Sequence, residues 1–169
     1  MAELDKLAIR GVRSFGPRDV NIIQFFKPLT VIVGHNGSGK TTIVECLKYA
    51  ATGDLPPHTK GGGFLHDPNM AGTDTVKAQV RLRFRNTHGV RMNCVRNLQV
   101  SKKKGGGLSM KTLEGVLGID DEEAEPHARN SISTRCAELD TEMASLLGVP
   151  RAILELSLIH ISEPTRLGM

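Results

Sequence analysis

Apolar residues in the first third of the chain fall into short runs that predict strands, followed by one helix. The segments Leu7–Gly16 and Asn21–Phe26 are separated by a Gly-Pro turn signal, which predicts two strands joined by a turn. Leu29–Gly34 is a continuous apolar run that ends in glycine, and this predicts a buried central strand. Across Lys40–Ala51 the apolar residues recur on one helical face, and Gly53 supplies a helix stop. We therefore predict a strand, a loop and a helix in direct succession.

The middle of the chain alternates strictly between apolar and polar residues. Every second residue of Val76–Phe84 is apolar, which predicts a half-exposed antiparallel strand. Asn86–Gly89 is typical of a turn into a returning strand. The predicted inner face of that returning strand comprises Val90, Met92, Cys94, Leu98 and Val100. Arg96 interrupts this face, and we expect it to form a buried salt bridge with a carboxylate and to have no further function.

The last third of the chain predicts a strand, an acidic loop and a helix. Met110–Leu117 is the predicted strand, and the acidic stretch 120–125 ahead of Pro126 predicts a solvated loop. Ser133 or Thr134 is a candidate helix cap. Apolar residues at helical spacing follow, and they predict packing against the core: Cys136, Leu139, Met143 and Leu146.

Composition and charge narrow the class of protein. The chain has 169 residues, of which 39% are hydrophobic, enough for one core and hence for a single domain or part of a larger one. A formal net charge of +4 permits an anionic partner without requiring one. The 3 cysteines are far apart, which predicts reduced thiols and neither a zinc site nor a disulfide framework. No apolar run approaches the ~20 residues of a membrane span, so we expect a soluble intracellular protein with no membrane partner.

The segment between the third predicted strand and the helix carries the clearest chemical motif. Residues 34–41, GHNGSGKT, match the phosphate-loop pattern GxxxxGK[ST], whose glycines let backbone N–H groups surround a phosphate. Lys40 would contact the β- and γ-phosphates of ATP as the catalytic cation, and Thr41 would ligate Mg²⁺. The predicted nucleotide-binding residues of the loop are Asn36, Gly37, Ser38, Gly39, Lys40, Thr41 and Thr42. The alternative is a glycine-rich turn that contains a lysine by chance.

A basic cluster lies further along the chain. Lys102, Lys103 and Lys104 precede three glycines at 105–107, which predicts a mobile, positively charged hairpin tip. Such a tip can contact the phosphates of duplex DNA without reading the bases. The alternative is a solvated loop with no ligand, since charge runs are usually only solvated.

Several phrases outside the phosphate loop resemble one family of ATPases. The chain is similar to the amino-terminal head segment of the SMC-like ATPases of eukaryotic double-strand-break repair through GVRSFG, PLTVIVGHNGSGKTTIVECLKY, TGDLPP, HDPNMAG, KAQVRLRF, KTLEGVL and CAELDTEMASLLGV. The resemblance implies an α/β phosphate-loop NTPase fold, namely the amino-terminal lobe of an ABC-type ATPase head with an antiparallel β subdomain. It also implies that Arg13 lies by the nucleotide and that Leu65 and His66 approach it.

The same resemblance implies cofactors, partners and a cellular role. ATP and Mg²⁺ would be the cofactors, and the carboxy-terminal lobe of the same head together with a second head would complete the site. Duplex DNA would lie across the basic surface of paired heads, which favours Lys102, Lys103 and Lys104 as DNA contacts. The ATPase would regulate the partner nuclease of the repair complex, in the nucleus and on chromosomes.

The carboxy-terminal residues depart from that family. The segment LSLIHISEPTRLGM follows residue 155, and Leu156–Arg166 resembles the translation of a transposase adapter used in sequencing libraries. We expect residues 1–155 to form the lobe and residues 156–169 to be a non-native tail; a divergent natural exon is the alternative. The acidic residues and signature motif of the other lobe and head are missing from the sequence, so we expect the chain to bind ATP without turning it over.

Other phosphate-loop proteins are alternatives to this family. A transporter's nucleotide-binding subunit usually has an aromatic residue upstream of the loop that stacks on adenine, and Phe15 leaves that interpretation open. A small kinase needs a lid with catalytic arginines, and nothing in the sequence indicates one. A third alternative is a nucleotide-binding half-domain without enzymatic activity.

Overall fold

In the described part of the chain, helices pack against a seven-stranded antiparallel sheet. The computed structural model describes residues 1–59, 61–120, 131–134 and 136–154. Its elements are β1 (Glu3–Arg10), β2 (Asn21–Gln24), α1 (Lys40–Thr52), α2 (Pro68–Ala71), β3 (Thr75–Arg85), β4 (Arg91–Lys102), β5 (Leu108–Thr112), β6 (Gly115–Ile119), β7 (Ser131–Thr134) and α3 (Cys136–Leu147). The strand order is β2-β1-β3-β4-β6-β7, with β5 paired to β4. Among the described helices, none has the length and apolar character that crossing a membrane requires.

One face of the sheet is buried, and the alternation along β3 places the core there as predicted. All five predicted inward residues of that strand are buried, namely Val76, Ala78, Val80, Leu82 and Phe84. The register places Leu7 of β1 and Cys94 of β4 on either side of Leu82, and both are buried. Val90 is the exception to the predicted inner face, because it precedes β4 and is 39% exposed.

Helix α1 has nearly the predicted bounds. It begins at Lys40, directly after the phosphate loop, and extends one residue beyond the predicted end, to Thr52. Gly53 adopts a left-handed conformation with φ 79°, and its N–H donates to the Tyr49 carbonyl at 2.8 Å. This geometry is typical of a glycine that ends a helix. The predicted stop is confirmed.

Arg96 forms the buried salt bridge that the sequence predicts, and the bridge joins three elements. Its residue is 3% exposed, and its Nη1 lies 2.6 Å from Oδ1 of Asp140 on α3. Its Nε donates to the Ala50 carbonyl in the last turn of α1 at 2.9 Å, where the helix dipole favours a cation. The guanidinium also lies 5.5 Å from the centre of the Tyr49 ring. Arg96 therefore ties β4 to both long helices.

The prediction of a buried central strand at Leu29–Gly34 is wrong. The structure assigns no strand to this segment, and the side chains of Leu29, Val31 and Val33 are 74%, 71% and 87% exposed. A strand requires hydrogen bonds to a neighbouring strand, and none of the described strands pairs with these residues. The described residues therefore leave Leu29, Val31 and Val33 uncovered, whereas Ile32 is half-buried.

Smaller departures concern element boundaries. The first predicted strand starts earlier and ends at Arg10, because the chain turns at Gly11. The predicted strand Met110–Leu117 divides into β5 and β6, which both pair with β4. Ser133 and Thr134, the candidate caps of α3, lie in β7. Most of the predicted acidic loop, Pro126, residue 155 and the predicted tail 156–169 lie outside the described residues.

Candidate nucleotide-binding site

The phosphate loop ends at the N-terminus of α1, which has no side-chain cap. Gly39 occupies the cap position in a left-handed conformation with φ 97°, and there is no side-chain cap hydrogen bond. A side chain at Gly39 would also meet the Phe15 ring, since an added Cβ would lie 3.3 Å from it. The first turn of α1 contains no acidic residue. The uncapped N–H groups and the helix dipole are therefore suited to an anion such as phosphate.

A cavity of about 360 Å³ opens at this helix terminus, within the range of typical ligand pockets. Most of the predicted site residues line it, namely Arg13, Asn36, Gly37, Gly39, Lys40, Thr41 and Thr42. Ser14 and His35 also line the cavity, although the sequence analysis did not single them out. The sequence could have indicated both residues, because they are adjacent to the predicted site residues Arg13 and Asn36. Ser38, Leu65 and His66 are not among the lining residues.

Lys40 and the two threonines differ in their surroundings. The Lys40 ammonium donates to the carbonyls of Gly34 and His35, the second at 2.9 Å, so its charge is held over the loop. Thr41 is exposed at the cavity, whereas Thr42 is 5% exposed. The Thr41 hydroxyl is thus accessible from the cavity, whereas the Thr42 side chain is buried.

Arg13 reaches the cavity from a loop far away in sequence. Its side chain forms an ion pair with Glu45 of α1, in which Nη1 lies 2.5 Å from Oε2 and Nη2 donates to Oε1 at 3.2 Å. Its backbone has a positive φ of 45°, which is uncommon for a residue other than glycine. The fold therefore brings Arg13 to the phosphate loop, and its contact with a nucleotide stays a prediction.

Leu65 and His66 lie behind the Arg13 loop. Leu65 is 4% exposed and forms an isolated β-bridge with Val12. Nδ1 of His66 lies 2.5 Å from the Arg13 carbonyl oxygen, and the His66 N–H donates to the Gly11 carbonyl at 2.9 Å. These residues support the loop that carries Arg13, and direct contact with a nucleotide stays a prediction for both.

The donor set fits a nucleotide whose phosphates supply most of the ligands of its metal. Within the described ranges, no three His, Cys, Asp or Glu side chains lie together in a group that could hold a metal ion. Mg²⁺ at nucleotide sites needs few protein ligands, because it keeps waters and binds substrate phosphates. The exposed Thr41 hydroxyl is suited to that role. Lys40 and Arg13 provide the positive charge, and the α1 N-terminus provides the N–H donors.

The three predicted DNA-contact lysines lie at the tip of the β4–β5 hairpin, as expected. Lys102, Lys103 and Lys104 are exposed, and the tip closes through a hydrogen bond from the Lys103 N–H to the Gly107 carbonyl at 3.0 Å. Lys102 Nζ lies 3.7 Å from a carboxylate oxygen of the exposed Asp74. The lysines belong to the β4–β5 hairpin, whereas the phosphate loop precedes α1, and none of the three lines the phosphate cavity.

The outer face of the sheet is a second basic surface that the sequence analysis did not assign. Register and burial place eight basic residues on it: Lys6, Arg10, Lys77, Arg81, Arg83, Arg85, Arg91 and Lys111. Arg83 pairs with Asp120 at 2.5 Å. The alternation along β3 indicated the basic character of one strand. The extent of the surface depends on strand pairing, which the pattern alone does not give.

Comparison with known proteins places these features in a family. A family model described as an AAA domain matches residues 6–163. The chain is 51% identical to the DNA repair protein rad50 of Schizosaccharomyces pombe and 49% identical to RAD50 of Saccharomyces cerevisiae, each over 99% of this chain. It is 45% identical to RAD50 of Arabidopsis thaliana over 92% of this chain.

The match covers a small part of each relative. The chain spans 13% of the length of the two yeast proteins and 12% of the Arabidopsis protein. The phosphate loop, the helix that follows it and the antiparallel sheet all lie within the matched residues. This chain belongs to the AAA domain family of phosphate-loop NTPases and corresponds to the amino-terminal segment of the Rad50 DNA repair proteins.

Proposed function

We propose that the chain binds Mg-ATP and forms the amino-terminal half of an SMC-like ATPase head that acts in double-strand-break repair. The observation that carries this proposal is the convergence of Arg13, Lys40 and Thr41 on one cavity at the uncapped N-terminus of α1. Bound Mg²⁺ would neutralise charge on the nucleotide phosphates. Arg13 and Lys40 would bind and orient the phosphates, and Thr41 would hold the metal.

The chain is proposed to bind ATP without turning it over by itself. Hydrolysis needs a group that orients the attacking water and charge stabilisation from several sides of the phosphate. Among the described residues that line the cavity, none carries a carboxylate. We propose that the missing groups come from the carboxy-terminal lobe of the same head and from a second head.

The exposed apolar segment 29–33 is the proposed contact with the carboxy-terminal lobe. A cavity of about 550 Å³ lies beside it and is lined partly by Phe25, Phe26, Ile32 and Val44. The segment pairs with none of the described strands, and its exposed apolar side chains favour burial by a partner. A strand of that lobe would both pair with this segment and cover its side chains.

Duplex DNA and a partner nuclease are the proposed macromolecular partners, at a nuclear, chromosome-associated location. The lysine hairpin tip and the basic outer face of the sheet support binding to a polyanion, because both present several cations to solvent. Contacts of this kind would be with phosphates and would be independent of base sequence. The nuclease would be regulated by the nucleotide-bound state of the paired heads.

Replacing Lys40 tests the nucleotide site. Lys40→Ala in the full chain should weaken Mg-ATP binding by about 10- to 150-fold, the equivalent of losing one charged hydrogen bond of ~1.5–3 kcal/mol. Lys48→Ala, on the same helix but outside the cavity, is the matched control. Titration with a fluorescent ATP analogue gives the affinities. Undiminished binding by Lys40→Ala, or multiple-turnover phosphate release that this variant abolishes, would contradict the proposal of a binding half-site.

Charge reversal at the hairpin tip tests the DNA contact. Changing Lys102, Lys103 and Lys104 to glutamate should weaken duplex binding regardless of sequence. The slope of log affinity against log salt should flatten by about 0.9 for each DNA phosphate that the variant no longer neutralises. Each single lysine-to-glutamate change at the tip is also compared with Lys48→Glu, which alters the net charge by the same amount. An unchanged slope would mean that the tip is only solvated.

A further inference from the structure

Arg13 and Glu45 form a partly buried ion pair at the back of the phosphate cavity. Both terminal nitrogens of Arg13 approach the two carboxylate oxygens of Glu45, and the side chains are 31% and 20% exposed. Such two-point pairs fix the plane of the guanidinium as well as its position. The pair joins residues 32 positions apart, so it forms only when the Arg13 loop docks on α1.

The Arg13 loop is held in place by several further contacts. The Arg13 N–H donates to the Phe64 carbonyl at 3.2 Å, and its carbonyl oxygen lies 2.5 Å from Nδ1 of His66. The guanidinium lies 5.9 Å from the centre of the Phe64 ring. The positive φ of Arg13 is a conformation that persists only where its surroundings enforce it. These contacts therefore fix the backbone of Arg13, and the ion pair with Glu45 fixes its guanidinium.

Glu45 supports the cavity from outside. It follows Thr41 by one turn on the same side of α1, but it does not line the cavity, whereas Arg13 does. Its carboxylate occupies part of the guanidinium edge and leaves other N–H donors of Arg13 for a second anion. Pairing also offsets the negative charge of Glu45, which would otherwise repel phosphate.

We propose that Glu45 is a positioning residue for nucleotide binding, which holds the Arg13 guanidinium towards the phosphates of Mg-ATP. The inference rests on the proposed function, because it assigns Glu45 a role at that same site. Without Glu45, the long arginine side chain would sample other rotamers, and its charge would contribute less to phosphate binding.

A double-mutant cycle on the full chain tests this role. Glu45→Gln keeps the shape of the side chain but removes its charge, and it should weaken Mg-ATP binding about tenfold, the lower end of the loss seen when a residue that supports a metal ligand is removed. Arg13→Ala should weaken binding at least as much. In the Arg13→Ala background, Glu45→Gln should cause no further loss, because the residue that it positions is gone. Glu142→Gln, an exposed residue of α3, is the control for charge.

The outcomes separate this inference from the proposed function. Equal weakening by Glu45→Gln in both backgrounds would show a general structural role and overturn the inference, as would wild-type affinity in Glu45→Gln. Urea unfolding identifies variants that fail to fold, and Glu45→Asp then replaces Glu45→Gln in the same cycle. Lys40→Ala is measured alongside. If Lys40→Ala binds Mg-ATP normally, the nucleotide site itself is refuted. If Lys40→Ala loses binding while Glu45→Gln binds normally, only the role of Glu45 is refuted.

Discussion

Replacing Asp140 with alanine should destabilise the protein strongly, because it leaves the Arg96 guanidinium buried without its carboxylate. Asp140 contacts Nη1 of Arg96 at 2.6 Å, and the side chains are 18% and 4% exposed, respectively. The other contacts of Arg96 with the described residues include the Ala50 carbonyl and the face of the Tyr49 ring. Neither of these carries a full negative charge.

The size of the effect follows from the burial of the pair. Breaking a buried ion pair by removing one partner costs about 3–5 kcal/mol. Asp140 retains some exposure and Arg96 keeps its hydrogen bond to Ala50, so we expect the lower end, about 3 kcal/mol. With a urea m-value of about 2 kcal/mol per molar, the unfolding midpoint should fall by about 1.5 M.

Tyrosine fluorescence during urea unfolding is a direct assay. The chain contains 1 tyrosine and 0 tryptophans, so the emission reports on Tyr49, which lies against Arg96. Asp54→Ala is the matched control, since Asp54 pairs with Arg151 at 2.7 Å while the two side chains are 38% and 46% exposed. Exposed pairs contribute about 0–1 kcal/mol, so the control should shift the midpoint little.

Two results would refute this reasoning. The first is an Asp140→Ala midpoint within error of the Asp54→Ala midpoint. The second concerns the variant that combines Arg96→Met with Asp140→Ala. If the cost of Asp140→Ala comes from an unpaired buried charge, removing that charge should recover part of the stability. No recovery would mean that the charge is not the cause.

Two further predictions concern the end of α1 and the buried thiols. Gly53→Ala should lower the free energy of unfolding by at least ~1–2 kcal/mol, because a left-handed alanine is strained and its Cβ would lie 2.2 Å from Oδ1 of Asp140. Gly16→Ala, where an added Cβ meets nothing within 4 Å, is the control in urea unfolding, and equal effects would contradict the prediction. Burial raises the pKa of Cys46 to about 12 and that of Cys94 to about 11, from a usual value of 9.0. The unfolded thiols ionise first, so stability should fall as pH rises from about 9 towards those values, by up to ~1.4 kcal/mol per pH unit for each thiol. Rapid alkylation of either thiol in the native protein at pH 8 would contradict this, and peptide mass spectrometry would detect it.

The local sequence pattern was sufficient to predict the elements that are specified by residues close together in the chain. The alternation along β3 determines which face is buried, because successive side chains of a strand point to opposite sides. The phosphate loop, the start of α1 at Lys40 and its stop at Gly53 follow from glycine and lysine at fixed spacing. The hairpin tip at Lys102–Gly107 follows from a glycine run between two apolar patterns.

The same local reasoning was wrong where an element depends on a neighbour. Leu29–Gly34 has the composition of a central strand, yet it is exposed because no described strand lies beside it. Hydrogen-bonded pairing, rather than apolar content, makes a segment a strand. The division of Met110–Leu117 into β5 and β6 likewise reflects two separate registers with β4.

The sequence by itself determined the phosphate loop, the helix that follows it and the buried face of the β3–β4 hairpin. Each of these depends only on residues that are close together in sequence. Tertiary structure alone decided which distant residues meet. The pairs Arg13–Glu45 and Arg96–Asp140 join segments 32 and 44 positions apart. A charge pattern cannot specify such partners, since every arginine has several carboxylates in the chain available to it. Strand register and helix docking bring one of them within contact distance, and burial then makes that contact strong.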